Sequence, residues 1–423
     1  MWPDSETNRD LINFEGVADT VAEIIAQADG RPISIGVTGA WGVGKSSMIR
    51  ITKGALERRQ PPEGPAKYVF VEFNAWLYQG YDDARAALLE VIAARLESVA
   101  DERQTGVEKA KAFFARVRWL RLAKLIALPA AAMALGLPPI GPGEEISSLI
   151  RDVTNDGVDA EELQRIEETA SAGGAVAKGL LKPKQAPSPP KMIQDLRDSF
   201  EATLEEIGVT LVVLIDDLDR CLPDTTISTL EAIRLFLFLH NTAFVIAADD
   251  DMIKHAVRKH FGELQNDELV INYFDKLIQI PIRVPSLGTQ EVRAYLMMLF
   301  VDDSNEITDT QKDEIQVGIA RQLRESWKGK RVDRAFVTSL NNQLPPGLMA
   351  RLETAERLAP LMTTAERIAG NPRLIKRFLN ALSIRMSISS AQGVGVDEAV
   401  LAKLLLFERL APRAAYSELT SAV

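Results

Sequence analysis

Ile33-Ser34-Ile35-Gly36-Val37-Thr38-Gly39-Ala40-Trp41-Gly42-Val43-Gly44-Lys45-Ser46-Ser47 carries the strongest structural signal in the chain. Its first six residues have the apolar character of a strand covered on both faces. The octet from Gly39 fits G-x-x-x-x-G-K-[ST], and Met48, Ile49 and Leu56 follow in an apolar helical stretch. A strand, such a loop and a helix together cradle phosphate, because backbone N–H groups and a helix N-terminus converge on the anion. Glycines at 39, 42 and 44 permit backbone conformations that side chains would obstruct. Gly39, Ala40, Trp41, Gly42, Val43, Gly44, Lys45, Ser46 and Ser47 are therefore the expected nucleotide-binding residues. Lys45 is expected to reach the β- and γ-phosphates, and the Ser46 hydroxyl to complete a Mg²⁺ shell. The bland alternative is a glycine-rich turn with no ligand.

A second motif bears on hydrolysis. Leu211-Val212-Val213-Leu214-Ile215 is a buried parallel strand by pattern, and it ends in Asp216-Asp217, as a Walker B strand does. Asp216 is placed to hold Mg²⁺, and Asp217 to orient and deprotonate the attacking water. A second magnesium-shell role or a helix cap is the other reading of Asp217.

Outward from these motifs, Tyr68–Phe73, Ala243–Ala248 and Leu277–Val284 read as further strands separated by helical stretches. Strands alternating with helices predict an α/β fold built on a doubly wound parallel sheet. Ligands then lie at the C-terminal strand ends, near Glu72 to Asn74, Asp216 to Asp219 and Asp249. Asp249 has two readings, a γ-phosphate contact and an N-cap for the helix beginning near Met252.

The division expected is 1–100 and 206–285 for the two halves of the nucleotide-binding core, 101–205 for an insertion, and 286–423 for a C-terminal helical domain. The most apolar part of the insertion, Leu125 to Ile140, is shorter than the ~18 residues needed to span a bilayer and contains three prolines. Arg116, Arg118, Arg121 and Lys124 flank it on one side, which leaves a hairpin that lies on a membrane surface or contacts another copy in an oligomer as the alternatives. Lys182 to Lys191, with four prolines, reads as an extended linker. Beyond Ser286 the pattern predicts amphipathic helices, one carrying Val292, Tyr295, Leu296 and Leu299. The apolar helix over Leu401–Leu410 calls for a partner.

The 423 residues are 46% hydrophobic, enough for a substantial core without staples. One cysteine, Cys221, rules out an internal disulfide framework, and the N-terminus lacks a secretory pattern, so a cytoplasmic location is expected. A net charge of −10 argues against constitutive nucleic-acid binding. The basic cluster Arg324, Lys328, Lys330, Arg331 and Arg334 around Trp327 reads as a solvated surface before it reads as a nucleic-acid contact. His255 and His260 lack an acidic partner at metal-ligand spacing.

Taken together, several stretches resemble the KAP family of P-loop NTPases over most of the chain. They are Gly39 to Ser46, Phe73-Asn74-Ala75-Trp76, Ile215-Asp216-Asp217-Leu218-Asp219-Arg220, and Gly370-Asn371-Pro372-Arg373 with Lys376, Arg377 and Asn380. The resemblance implies a core in which one strand separates the Walker B strand from the phosphate-loop strand, and a helical C-terminal lid. It also implies that Arg373 is a lid arginine facing the phosphates; the alternative is an ordinary exposed arginine after Pro372. Many family members carry membrane-spanning helices in the insertion, which this chain does not match.

The function expected of this combination is that of a Mg²⁺-dependent nucleoside triphosphatase, ATP favoured, with Lys45, Asp217 and Arg373 as its catalytic residues. The alternative is a nucleotide-dependent switch or scaffold with little hydrolysis. Arg220, Arg234 and Arg258 are candidates to act across a homo-oligomer. The chain is also similar to the ATPases of bacterial anti-phage systems, a resemblance that implies QueC-like or TatD-like protein partners.

Overall fold

A computed structural model of the protein describes residues 1–3, 10–79, 84–117, 189–236, 238–260, 276–341 and 343–421. By contacts it divides into two compact units, Met1–Gly80 with Thr210–Val423, and Tyr81–Val209. Leu125 to Ile140 lies outside the described residues.

The first unit is built on five parallel strands, β1 (Ile33–Thr38), β2 (Tyr68–Asn74), β3 (Thr210–Asp216), β4 (Thr242–Ala248) and β5 (Ile280–Arg283). Their order across the sheet is β2-β3-β4-β1-β5, so β4 alone separates the Asp216 strand from the phosphate-loop strand. Every residue of β1 and β4 is buried; after Thr242, β4 is a continuous apolar run, while in β1 the residues between the apolar ones are small, and Ser34 satisfies its buried hydroxyl by donating to the Leu277 carbonyl at 2.7 Å. Parallel pairing brings Asn74 level with Asp216 and Thr38 level with Ala248, so the polar residues that end these strands gather at one edge of the sheet.

The helices of this unit, numbered with those of the second, are α1 (Glu15–Ala28), α2 (Lys45–Glu57), α5 (Pro223–Phe236), α6 (Asp250–His260), α7 (Thr289–Asp302), α8 (Asp309–Arg324), α9 (Arg334–Leu340), α10 (Pro346–Thr364), α11 (Pro372–Ala391), α12 (Glu398–Leu410) and α13 (Arg413–Ser421). α1 and α2 pack on each other and against β1, burying Val21, Ile25, Met48 and Leu56.

Among the described residues from Thr289 onward every secondary-structure element is a helix, in keeping with the mostly helical character expected there. Helix α7 is not amphipathic, however: Ala294 through Val301 are all buried. It runs through the middle of the helical region, packed by α8 and α10, and Trp2 closes its far side by donating Nε1–H to the Leu299 carbonyl at 3.0 Å. A helix covered all round carries no polar stripe.

In the second unit, α3 (Ala84–Arg103) and α4 (Pro189–Ile207) pack together, joined by the Arg103 guanidinium donating to the Ile207 carbonyl at 3.0 Å. A further helical stretch over 107–117 brings Phe113 to 5.2 Å from Phe200. Pro189, Pro190 and Lys191 therefore do not belong to an extended linker. They open α4, where a first-turn proline costs nothing because its missing N–H would have no helical partner. No helix among the described residues is long and apolar enough to cross a membrane.

Candidate nucleotide site

The loop between β1 and α2 turns through Gly42 at φ +84° and Gly44 at φ +105°, backbone angles that residues with a Cβ rarely adopt. Space reinforces the requirement. A Cβ on Gly44 would lie 2.9 Å from the Phe14 ring, and one on Gly42 would lie 2.8 Å from Asn371 Oδ1. Gly44 caps α2, which leaves the first N–H groups of that helix, from Lys45 onward, facing the loop.

The loop, the end of β3 with the turn that follows it, Leu11-Ile12 and the start of α11 border a cavity of about 100 Å³. Trp41, Gly42, Gly44, Lys45, Ser46 and Ser47 line it, as do Asp216, Asp217 and Arg373. Gly39, Ala40 and Val43 complete the same loop. Residues some 330 positions apart in sequence, Trp41 and Arg373, thus line one cavity.

Asp216 ends β3 and accepts the Ser46 hydroxyl. Burial pushes its carboxyl above the ordinary range, the Ser46 hydrogen bond partly offsets this, and the neighbouring Asp217 and Asp219 charges add to the rise. A partly buried carboxylate paired with a hydroxyl, beside two more carboxylates, is an oxygen-donor set that suits a small divalent cation.

Asp217 stands in the left-handed region at φ 56°, uncommon for a residue with a side chain. Both of its oxygens are engaged: Oδ2 accepts the Asn74 amide at 2.9 Å, and Oδ1 pairs with Arg220 Nε at 2.8 Å. The Arg220 guanidinium also lies over the Trp76 ring, 6.0 Å from its centroid. Asn74 Oδ1 accepts the N–H groups of Trp76 and Leu77, so one amide both caps the turn carrying Trp76 and holds Asp217. Arg220, a candidate to act across an oligomer, is in this conformation a partner of Asp217 in its own chain.

Sequence reasoning assigned no role to Asp219. Its Oδ2 lies 3.1 Å from Lys45 Nζ and accepts the Asp249 N–H at 2.9 Å. Lys45 also donates to the carbonyls of Gly39 at 2.9 Å and Ala40 at 3.4 Å. The signal was present in the third acid of Asp216-Asp217-Leu218-Asp219, but spacing alone does not say which acid turns toward Lys45. Asp249 itself caps α6, accepting the N–H of Asp251 at 3.1 Å.

Arg373 reaches the cavity because α11 begins against the phosphate loop. Asn371 caps that helix, donates its amide to the Trp41 carbonyl at 2.8 Å, and is followed by a backbone contact from Arg373 N–H to the Gly42 carbonyl at 3.4 Å. Lys376, one turn on, lines the same cavity and donates to the Pro3 carbonyl at 3.0 Å. Asn380 holds the Trp2 backbone with two hydrogen bonds of 2.9 Å and touches no part of the cavity.

Four of the five basic residues around Trp327 pair with carboxylates of their own chain: Arg324 with Glu15, Lys328 and Lys330 with Glu325, and Arg334 with Glu353. The Lys330 ammonium, bonded to Glu325, holds that carboxyl below its usual range.

Comparison with known proteins gives three findings. Over 197 residues, 44% of this chain and 94% of the other, the sequence is 25% identical to the uncharacterized protein MJ0182 of Methanocaldococcus jannaschii. Among solved structures, the ORC2 protein of Aeropyrum pernix, solved as ADPNP and ADP complexes, aligns at TM-score 0.33 and 11% identity, covering 96% of this chain and 84% of that one. A likeness so weak carries nothing further. Residues 14–389 match the KAP family P-loop domain, a span that includes every residue described in the cavity except Leu11 and Ile12. The chain therefore belongs to the KAP family of P-loop NTPases.

Proposed function

We propose that the chain is a Mg²⁺-dependent ATPase whose turnover moves its C-terminal helical lid. The observation carrying this reading is the convergence of Lys45, Ser46, Asp216, Asp217 and Arg373 on one cavity. In this reading the loop amides from Gly39 to Ser47 and the Lys45 ammonium bind the β- and γ-phosphates. Ser46 and Asp216 hold Mg²⁺, which when bound supplies charge neutralisation at the phosphates. Asp217 orients the attacking water and takes its proton, and Arg373 offsets the charge that develops on the transferring group.

A cavity of about 100 Å³ is well below the ~300 Å³ of a typical ligand pocket, so nucleotide entry requires movement of the segments that border it, Leu11-Ile12 and the start of α11. Leu11 and Ile51 also line a neighbouring groove of about 840 Å³, which gives the nucleoside half of ATP somewhere to lie.

The second reading, a nucleotide-dependent switch with little hydrolysis, draws on a specific observation. Lys45 is paired with Asp219 and Asp217 with Arg220, so two of the groups that hydrolysis needs are occupied by their own chain. Mg²⁺-dependent phosphate release from ATP, beside GTP, separates the two. We expect release that Lys45→Ala abolishes and that Asp217→Asn lowers by roughly 10²–10⁴-fold while binding persists. Nucleotide binding through Lys45 with no release establishes the switch.

For the setting, we propose a cytoplasmic ATPase subunit of an anti-phage complex with QueC-like or TatD-like partners, supported only by the resemblance of its motifs. The division into a core at 1–100 and 206–285, an insertion at 101–205 and a lid at 286–423 belongs to the same proposal. The exposed face of α12, with Val400, Leu404 and Phe407, offers contact area for a partner or a second copy. Purification from the native host with no other protein attached would sink the complex.

A further inference from the structure

Trp41 occupies the second variable position of the phosphate loop, and the residue remains 42% exposed although it borders the nucleotide cavity. Two guanidiniums cover it. Arg373 lies 4.4 Å and Arg377 4.9 Å from the ring centroid. The two arginines are four residues apart on α11 and so project from the same face on successive turns. A cation over an indole face is held by the ring quadrupole, and tryptophan is the strongest such platform. The backbone beneath fixes this seat from both sides, through Asn371 Nδ2 on the Trp41 carbonyl and through Gly42, where any Cβ would meet Arg373 Cβ at 2.9 Å.

This arrangement addresses a difficulty of the cavity. Arg373 must stand beside the phosphates, yet a long flexible side chain loses rotamer entropy when it is held in one geometry. The indole restricts that freedom before any ligand arrives. It also holds the cation by an attraction weak enough for a phosphate anion to overcome. Arg377, on the same ring, keeps the helix docked while its neighbour leaves.

Resting on the ATPase reading above, we propose that Trp41 is a positioning residue: it seats Arg373 at the mouth of the site and yields it to the γ-phosphate when nucleotide binds. The indole makes no bond to the reacting atoms. Its contribution is the placement of Arg373, whose cation counts most against the charge that develops on the transferring group, so the effect falls on kcat more than on KM.

The test pairs two substitutions with a spectroscopic readout. Trp41→Phe keeps an aromatic face, whereas Trp41→Leu keeps apolar bulk without one. Expected is a kcat for Trp41→Leu on the order of tenfold below that of Trp41→Phe, with the KM values of the two variants within about twofold of each other. Equal kcat values in the two variants, or a raised KM at unchanged kcat, would overturn the proposal. The Trp41 fluorescence signal is the difference between wild type and Trp41→Phe, which removes the other four tryptophans. We expect Mg²⁺ and ATP to change it in the wild-type background and to leave it unchanged in Arg373→Ala; persistence in Arg373→Ala overturns the seat. Because this arm needs binding and not turnover, it decides the matter even if wild type releases no phosphate, an outcome that removes the ATPase reading alone. Failure of ATP to bind wild type removes both.

Discussion

The Lys45 ammonium lies 3.1 Å from the Asp219 carboxylate, and both side chains are more than 90% buried. A buried charge pair is costly to break from one side, because the remaining partner is left without compensation. Lys45→Ala should therefore lower unfolding stability by roughly 3 kcal/mol in urea titrations, in addition to removing nucleotide binding. Adding Asp219→Asn should restore most of the stability and none of the binding. A single Lys45→Ala protein as stable as wild type would mean that the pair contributes nothing to folding.

Asp216 contributes in the opposite sense. Burial raises its carboxyl above the value it has in the unfolded chain, so the folded state binds that proton more tightly. The sign follows by linkage: folding is favoured below the raised value, and the stability is lost as pH climbs from the ordinary carboxylate range through it. With metal chelated, Asp216→Asn should melt at a higher temperature than wild type at pH 7, and the gap should narrow toward pH 4. Added Mg²⁺ with ATP should then stabilise wild type and fail to stabilise the variant. Thermal melts at the two pH values, with and without ligand, check both halves.

Cys221 should be inert. Burial, followed by the charges of Asp217 and Asp219, pushes its thiol up to about 12, so at pH 8 only about one molecule in 10⁴ carries the thiolate that reacts. Mass spectrometry after iodoacetamide at pH 8 should find the folded protein unmodified, and the protein in denaturant fully alkylated. Rapid labelling of the folded chain would show that the helical turn over Leu218–Arg220 opens readily.

Gly370 joins the start of α11 to the segment before α7. It sits at φ +68°, and a Cβ there would come within 2.3 Å of the Leu287 carbonyl oxygen, a backbone atom with no rotamer to yield. Gly370→Ala should cost roughly 2–3 kcal/mol. It should also shift α11 from the phosphate loop, lowering kcat alongside stability. A calorimetric melt and a rate measurement on the same preparation separate a loss of folding from a loss of lid placement.

Much of the site was legible because it rests on backbone chemistry. Gly42 and Gly44 announce left-handed turns, and a lysine and a serine at the start of a helix announce an anion and a cation, whatever the rest of the chain does. That one strand separates the Asp216 strand from the phosphate-loop strand was legible only through the family resemblance, since periodicity shows that strands exist but not which are neighbours; the rest of the order comes from the packed sheet. Two readings went astray for local reasons. Pro189 and Pro190 look like linker residues, yet a first helical turn accommodates them. Val292, Tyr295, Leu296 and Leu299 suit one face of a surface helix, and nothing in their spacing says that α8, α10 and Trp2 cover the other faces.

Short stretches of residues were thus enough for the phosphate loop, the acid-tipped strand, the buried parallel strands and the helical character beyond Ser286. The packed molecule was needed to learn that Asp219 faces Lys45, that Asn74 and Arg220 hold Asp217, and that Trp41 carries Arg373 and Arg377. Separation explains the difference. Each of these pairings joins side chains from different elements or turns, and their meeting is set by how whole strands and helices pack, which no local pattern of residue types records.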